Sequence, residues 1–159
     1  MSINIKGDRH IIETDISLIC NDVVTKGTVL GYGTAGSGSA QNDNAGVAAY
    51  YANPSGQKPL GPTLANFVNI DQTRQHRNFH NNEQVIGEKA PILRKGWLIT
   101  NGIFGTPTAG ATAYWAASGL VTPTLNAQGG LIATPKVGEF MSILDADGYC
   151  KVEFMLPQI

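Results

Sequence analysis

Charge is scarce in this sequence. Of its 159 residues only 14% are Asp, Glu, Lys or Arg, with 11 basic against 12 acidic side chains, where a soluble domain carries about 25%. This near balance excludes the strongly basic surface of a phosphate-gripping nucleic-acid binder. Cysteine is scarcer: Cys20 and Cys150 stand alone and far apart. They make neither a disulfide framework nor a C-x-x-C pair, and read as two buried free thiols of a reducing compartment. A single bridge between the two terminal regions is the alternative. No apolar run approaches the ~18 residues of a membrane span, and no basic-then-apolar signal opens the chain, so a soluble globular protein is expected. Long stretches free of Gly and Pro are also rare. After Gly87 the longest is Glu139 to Asp147, nine residues, which leaves little room for helices averaging ~11 residues.

Uncharged polar residues fill the deficit: Asn, Gln, Ser and Thr occupy 39 positions, and Gly and Pro another 27. Strands of ~5–6 residues fit the gaps between breakers. β-branched and aromatic residues cluster there, in Trp97 to Thr100, Thr112 to Trp115, Phe140 to Leu144 and Val152 to Leu156. In the last of these, Val152, Phe154 and Leu156 alternate with Lys151, Glu153 and Met155, the period of a half-buried strand. Asp145-Ala146-Asp147-Gly148 supplies the turn that makes this region a β-hairpin. Thr25 to Leu30 and Arg94 to Ile99 echo one another, each reading as a turn ending in Lys-Gly and followed by an apolar strand.

Two longer runs are ambiguous. Between Asp8 and Lys26, the residues Ile12, Ile16, Ile19 and Val23 would share a helix face, but Ile12, Thr14, Ile16 and Leu18 equally alternate. The β-branched content favours a strand. Between Thr63 and Ile86, Leu64, Phe67 and Val68 give one amphipathic turn, a short helix opening a polar arm. Loops of that length are usually functional or disordered. The expected organisation is one β-rich domain over 1–159, with an extended N-terminal segment (1–23) and a polar arm or loop (53–90).

Candidate chemistry is thin. Gly31-Tyr32-Gly33-Thr34-Ala35-Gly36 spells the dinucleotide fingerprint, but Ser37-Gly38-Ser39 and an Asn-rich loop follow it, where a pyrophosphate site needs a helix. His76 and His80 are spaced as metal ligands on a helix, with Arg77 standing where a zinc protease has its Glu. The Asp145 turn lacks the ligands of a calcium loop. No enzyme, cofactor or metal is expected. Arg74, His76, Arg77, Phe79 and His80 form instead a dense set of interface-type side chains. Tyr50-Tyr51 and Tyr114-Trp115 could supply the aromatic platform of a glycan- or receptor-binding β-sandwich module, the alternative reading.

The order of several short motifs is more telling than any one of them. Val68-Asn69-Ile70-Asp71, Arg74-Gln75-His76 and Lys95 to Asn101 are followed by Thr108-Ala109-Gly110, Ala113-Tyr114-Trp115 and Gly119-Leu120-Val121-Thr122-Pro123. Pro135-Lys136-Val137-Gly138 and Asp145-Ala146-Asp147-Gly148-Tyr149-Cys150-Lys151-Val152 complete the series. This arrangement, from Val68 to Leu156, resembles the capsid decoration, or cement, proteins of tailed bacteriophages; Cys150 departs from it, standing where a small residue such as Ala is expected. The resemblance implies an all-β fold, a small β-barrel or sandwich of β-tulip type with long loops, an extended arm and little helix. It further implies a virion protein made in the bacterial cytoplasm that sits on the outer surface of the head. Its partners would be the major capsid protein and itself, as a homotrimer or dimer, with no direct nucleic acid and no membrane. The side chains expected at such contacts are Ile3, Ile5, Ile11 and Ile12 of the N-terminal segment, with Arg74, His76, Arg77, Phe79 and His80 of the arm.

Overall fold

A computed structural model describes residues 3–34, 46–69, 83–125 and 134–157. Alternation and dense Gly/Pro punctuation produce twelve strands among these residues: β1 (Ile5–Asp15), β2 (Ile19–Cys20), β3 (Val29–Tyr32), β4 (Val47–Ala49), β5 (Pro59–Pro62), β6 (Asn66–Val68), β7 (Glu83–Val85), β8 (Ile92–Thr100), β9 (Thr112–Trp115), β10 (Val121–Thr122), β11 (Lys136–Phe140) and β12 (Cys150–Met155). A single 3-10 turn at Ala117–Gly119 is the one helical element among them. The protein is all-β.

The strands form three sheets. The largest runs β1-β8-β12-β11-β9-β10, antiparallel throughout. The second runs β2-β4-β3-β5, and β6 and β7 make a parallel pair. None closes into a barrel, so of the two expected architectures the open, sandwich-like one stands. Because neighbouring strand residues point to opposite faces, single strands feed two cores. Val29 of β3 and Leu93 of β8 enter one, with Leu98, Trp115, Phe140, Val152, Phe154 and Leu156. Their neighbours Leu30 and Ile92 enter the other, with Cys20, Leu60, Phe67 and Ala90.

The C-terminal hairpin forms as expected, with Val152, Phe154 and Leu156 buried. Its turn is closed by Gly148 N–H donating to the Asp145 carbonyl at 3.1 Å, with Gly148 at φ 83°. Asp145 Oδ1 accepts from the N–H groups of Asp147 and Tyr149, both at 2.9 Å. The preceding strand differs from expectation, ending rather than beginning at Phe140. Phe140 is the last fully buried residue of that segment; Ile143 beyond it is exposed, and Leu144 only packs against the edge of the core.

Three further expectations are corrected. Leu64 to Val68 is no helical turn: β6 pairs with β7, and Phe67 is fully buried in the second core. The Thr25–Leu30 echo is a genuine turn before β3, but Arg94-Lys95-Gly96 lies inside β8. Gly96 there holds φ +135°, and a Cβ would collide with the His10 carbonyl oxygen. The glycine is what lets β1 approach its partner. The arm expected over 53–90 likewise carries β5, β6 and β7, with Leu60, Leu64, Phe67 and Ala90 buried.

Candidate interaction surface

Among the described residues β1 borders the largest sheet and pairs with β8 alone. It is eleven residues long, and every residue from Gly7 to Thr14 is exposed. Its register against β8 slips three times, between Ile5 and Arg9, Ile11 and Glu13, and Glu13 and Thr14. Such bulges twist a strand and break its regular pairing.

The start of the strand is firmly anchored. Asn4 N–H donates to Asn101 Oδ1 at 2.7 Å, and Asn101 N–H donates back to the Asn4 carbonyl at 3.2 Å. Lys6 Nζ meets Asp145 Oδ2 at 2.8 Å and stands 4.7 Å from the centre of the Tyr149 ring. The hydrogen bond between them raises the Lys6 pKa and lowers that of Asp145. Ile3 is half-buried over the glycines at 27 and 102. Ile5 enters the main core at 7% exposure, so in the single chain it is a packing residue and not a contact residue. The distal half is different. Ile11 is 41% and Ile12 65% exposed, and Ile16, just past the strand, is 62% exposed.

On the solvent face of the sheet, β1 is held by side chains of neighbouring strands. Glu13 pairs with Lys95 at 3.5 Å. His10 packs edge-on to Trp97, ring centres 6.4 Å apart, and Lys151 Nζ covers that indole at 3.8 Å from its centre. At the end of the strand, Asp15 accepts from the hydroxyl and N–H of Ser17 at 2.6 and 2.8 Å, which lowers its pKa. Arg74, His76, Arg77, Phe79 and His80 lie outside the described residues.

The glycine fingerprint is used by the fold. Gly31 pairs with Ala49, Tyr32 N–H donates to the Lys58 carbonyl at 3.1 Å, and Gly33 N–H to the Val47 carbonyl at 2.8 Å. The backbone donors at 32 and 33 are therefore engaged within the sheet and not directed at a phosphate. A Cβ on Gly31 would strike the Trp115 ring, so this glycine makes room for the largest core side chain. Trp115 is fully buried, with Tyr51 edge-on at 5.9 Å. Tyr51 in turn donates its hydroxyl to the Tyr32 carbonyl at 2.6 Å. Neither Tyr114-Trp115 nor Tyr50-Tyr51 thus presents two free rings side by side.

Both thiols are free and buried. Burial pushes Cys20 up to about 11 and raises Cys150 as well, which keeps each as a neutral thiol at physiological pH. Among the described residues no group of three or more His, Cys, Asp or Glu could hold a metal ion. One structural feature escaped the sequence reading: Arg94 is 7% exposed among apolar neighbours. Its signal was a charge directly after the apolar run Pro91-Ile92-Leu93, at a position where the strand continues. No protein-family model matches the chain, and a search of curated proteins finds no relative.

Proposed function

We propose that this chain is a structural virion protein that binds the outer surface of a tailed-phage head and stabilises contacts between major capsid proteins. The ordered motifs between Val68 and Leu156 support the reading. Several fall on the scaffold of the main sheet: Ala113-Tyr114-Trp115 in β9, Val121-Thr122 in β10, Lys136-Val137-Gly138 in β11, and the Asp145 turn before β12.

The observation that carries the proposal is the distal half of β1. An edge strand offers unpaired N–H and C=O groups to any extended segment laid beside it. Here the edge is flanked by Ile11 and Ile12, which are exposed, and it is attached to a well-packed sheet through Ile5 and Asn4. Such a strand binds by backbone hydrogen bonds, with the isoleucines adding apolar contact. A surface poor in charge also covers cheaply, because buried ions lose hydration that pairing does not always return. The chain acts through surfaces, as a homotrimer or dimer on the assembled head.

Adding the purified chain to empty, expanded phage heads tests this. Saturable binding and a raised head-disruption temperature are expected, and absence of binding sinks the proposal.

A further inference from the structure

A cleft of about 580 Å³ opens where β3, β5, β8 and β11 converge, lined in part by Tyr32, Gln57, Lys58, Arg94, Lys136 and Pro157. We infer that it binds a carboxylate group. Three of the eleven basic side chains of the whole sequence line this one opening, and among the described residues no acidic side chain does. The fold places them there by backbone pairing. Tyr32 N–H holds the Lys58 carbonyl, Leu156 N–H donates to the Arg94 carbonyl at 2.9 Å, and Lys136 opens β11 opposite Tyr114.

Arg94 is what makes the cleft a built site. It is 93% buried, being 7% exposed. One guanidinium nitrogen, Nη1, donates to the Leu60 carbonyl at 2.8 Å. The other donors meet no acceptor among the described residues, and none of these nitrogens is sealed from solvent. Asp15 lies near enough for Arg94 to contribute to its lowered pKa, but that carboxylate is engaged by Ser17. A guanidinium largely withdrawn from water, with donors that meet no acceptor, is costly even with the Asp15 charge nearby. A carboxylate matches its planar donor fork better than a tetrahedral anion does. Lys58 and Lys136, both exposed, add positive potential at the rim. Pro59, Pro135 and Leu156 supply apolar walls, as in pockets that hold an organic body by contact and its polar end by charge. The carboxylate could belong to an acidic side chain of a partner protein or to a free small acid.

The test is a titration of the isotope-labelled full chain, followed by two-dimensional NMR. The probes are glutarate, a blocked Gly-Glu-Ile-Glu-Gly peptide, the uncharged diamide of glutarate, and inorganic phosphate. We expect saturable shifts at Tyr32, Gln57 and the Arg94 side chain with glutarate or the acidic peptide, and none with the diamide. Tighter binding of the peptide assigns a protein partner, and tighter binding of glutarate a free acid. Lys58→Gln and Lys136→Gln, surface changes that leave the core intact, should each weaken binding about two- to fivefold, the range of an exposed charge pair. Arg94→Lys should weaken it more than about tenfold; should that variant not fold, the two lysine variants carry the test. No saturable shift, equal shifts with the diamide, tighter binding of phosphate than of either acid, or unchanged affinity in the double lysine variant would each overturn the inference.

Discussion

Ile12 gives the sharpest test of the proposed surface, because folding and binding should respond to it differently. Its side chain is 65% exposed and lies in the register slip between Ile11 and Glu13. Replacing it with Thr keeps the β-branched shape and the strand preference. The change removes about two buried carbon groups' worth of contact, near 1.6 kcal/mol at ~0.8 kcal/mol each, where that side chain is fully covered. A hydroxyl that must be desolvated adds about 1 kcal/mol. In the free chain only about a third of this surface is already covered, so stability should move by less than about 0.5–1 kcal/mol. On a capsid that covers the rest, binding should lose roughly 1–2 kcal/mol, about five- to thirtyfold in Kd. Calorimetric unfolding of the free chain and a head-binding titration measure the two quantities. Unchanged affinity with unchanged stability would remove Ile12 from the interface and undercut the edge-strand argument. A large loss of stability in the free chain would show the side chain to be already covered, by a second copy.

Gly31→Ala should destabilise the fold by about 1–3 kcal/mol, since a Cβ there meets the Trp115 ring. The corresponding drop in Tm is roughly 3–10 °C, followed by tryptophan fluorescence. Phe67→Ala should cost about 3–5 kcal/mol if β6 packs into the second core as described; a loss below about 1 kcal/mol would refute that placement. Cys20 supplies a pH prediction. Its folded pKa of about 11 exceeds the ordinary thiol value, so the folded chain keeps a proton that the unfolded chain releases. Stability should therefore fall as pH rises from about 9 to 11, by roughly 1–3 kcal/mol. The measurement is the difference between the native chain and Cys20→Ala across that range, and equal slopes would show the thiol not to be desolvated.

Local rules carried a large part of the fold. Breakers spaced too closely for helices made an all-β chain legible. The alternation of Val152, Phe154 and Leu156, with Gly148 in the turn, made the last hairpin legible, because both depend on near neighbours in sequence. The same rules misread Leu64 to Val68. Three apolar residues at that spacing suit one helical turn or a short strand equally well, and only the pairing of β6 with β7 and the burial of Phe67 distinguish them. They misread Lys95-Gly96 too, where the glycine is demanded by the passage of His10 and not by a turn.

The candidate surface divides in the same way. That the first residues form an apolar, β-branched segment was readable from Ile3, Ile5, Ile11 and Ile12. Which of them are covered was not, because Ile5 is paired with Thr100, a residue remote in sequence, while the far side of β1 has no pairing strand among the described residues. Burial and edge position belong to the arrangement of strands and not to any window of sequence. Arg94 shows this most plainly. Its charge is visible in the sequence, but its withdrawal from water depends on Leu60 and Leu156 arriving from distant strands. The sequence alone determined the type of structure and the material of its surfaces. The tertiary pairing decided which edge stays open and which charges converge, because both are set by contacts between residues the chain keeps far apart.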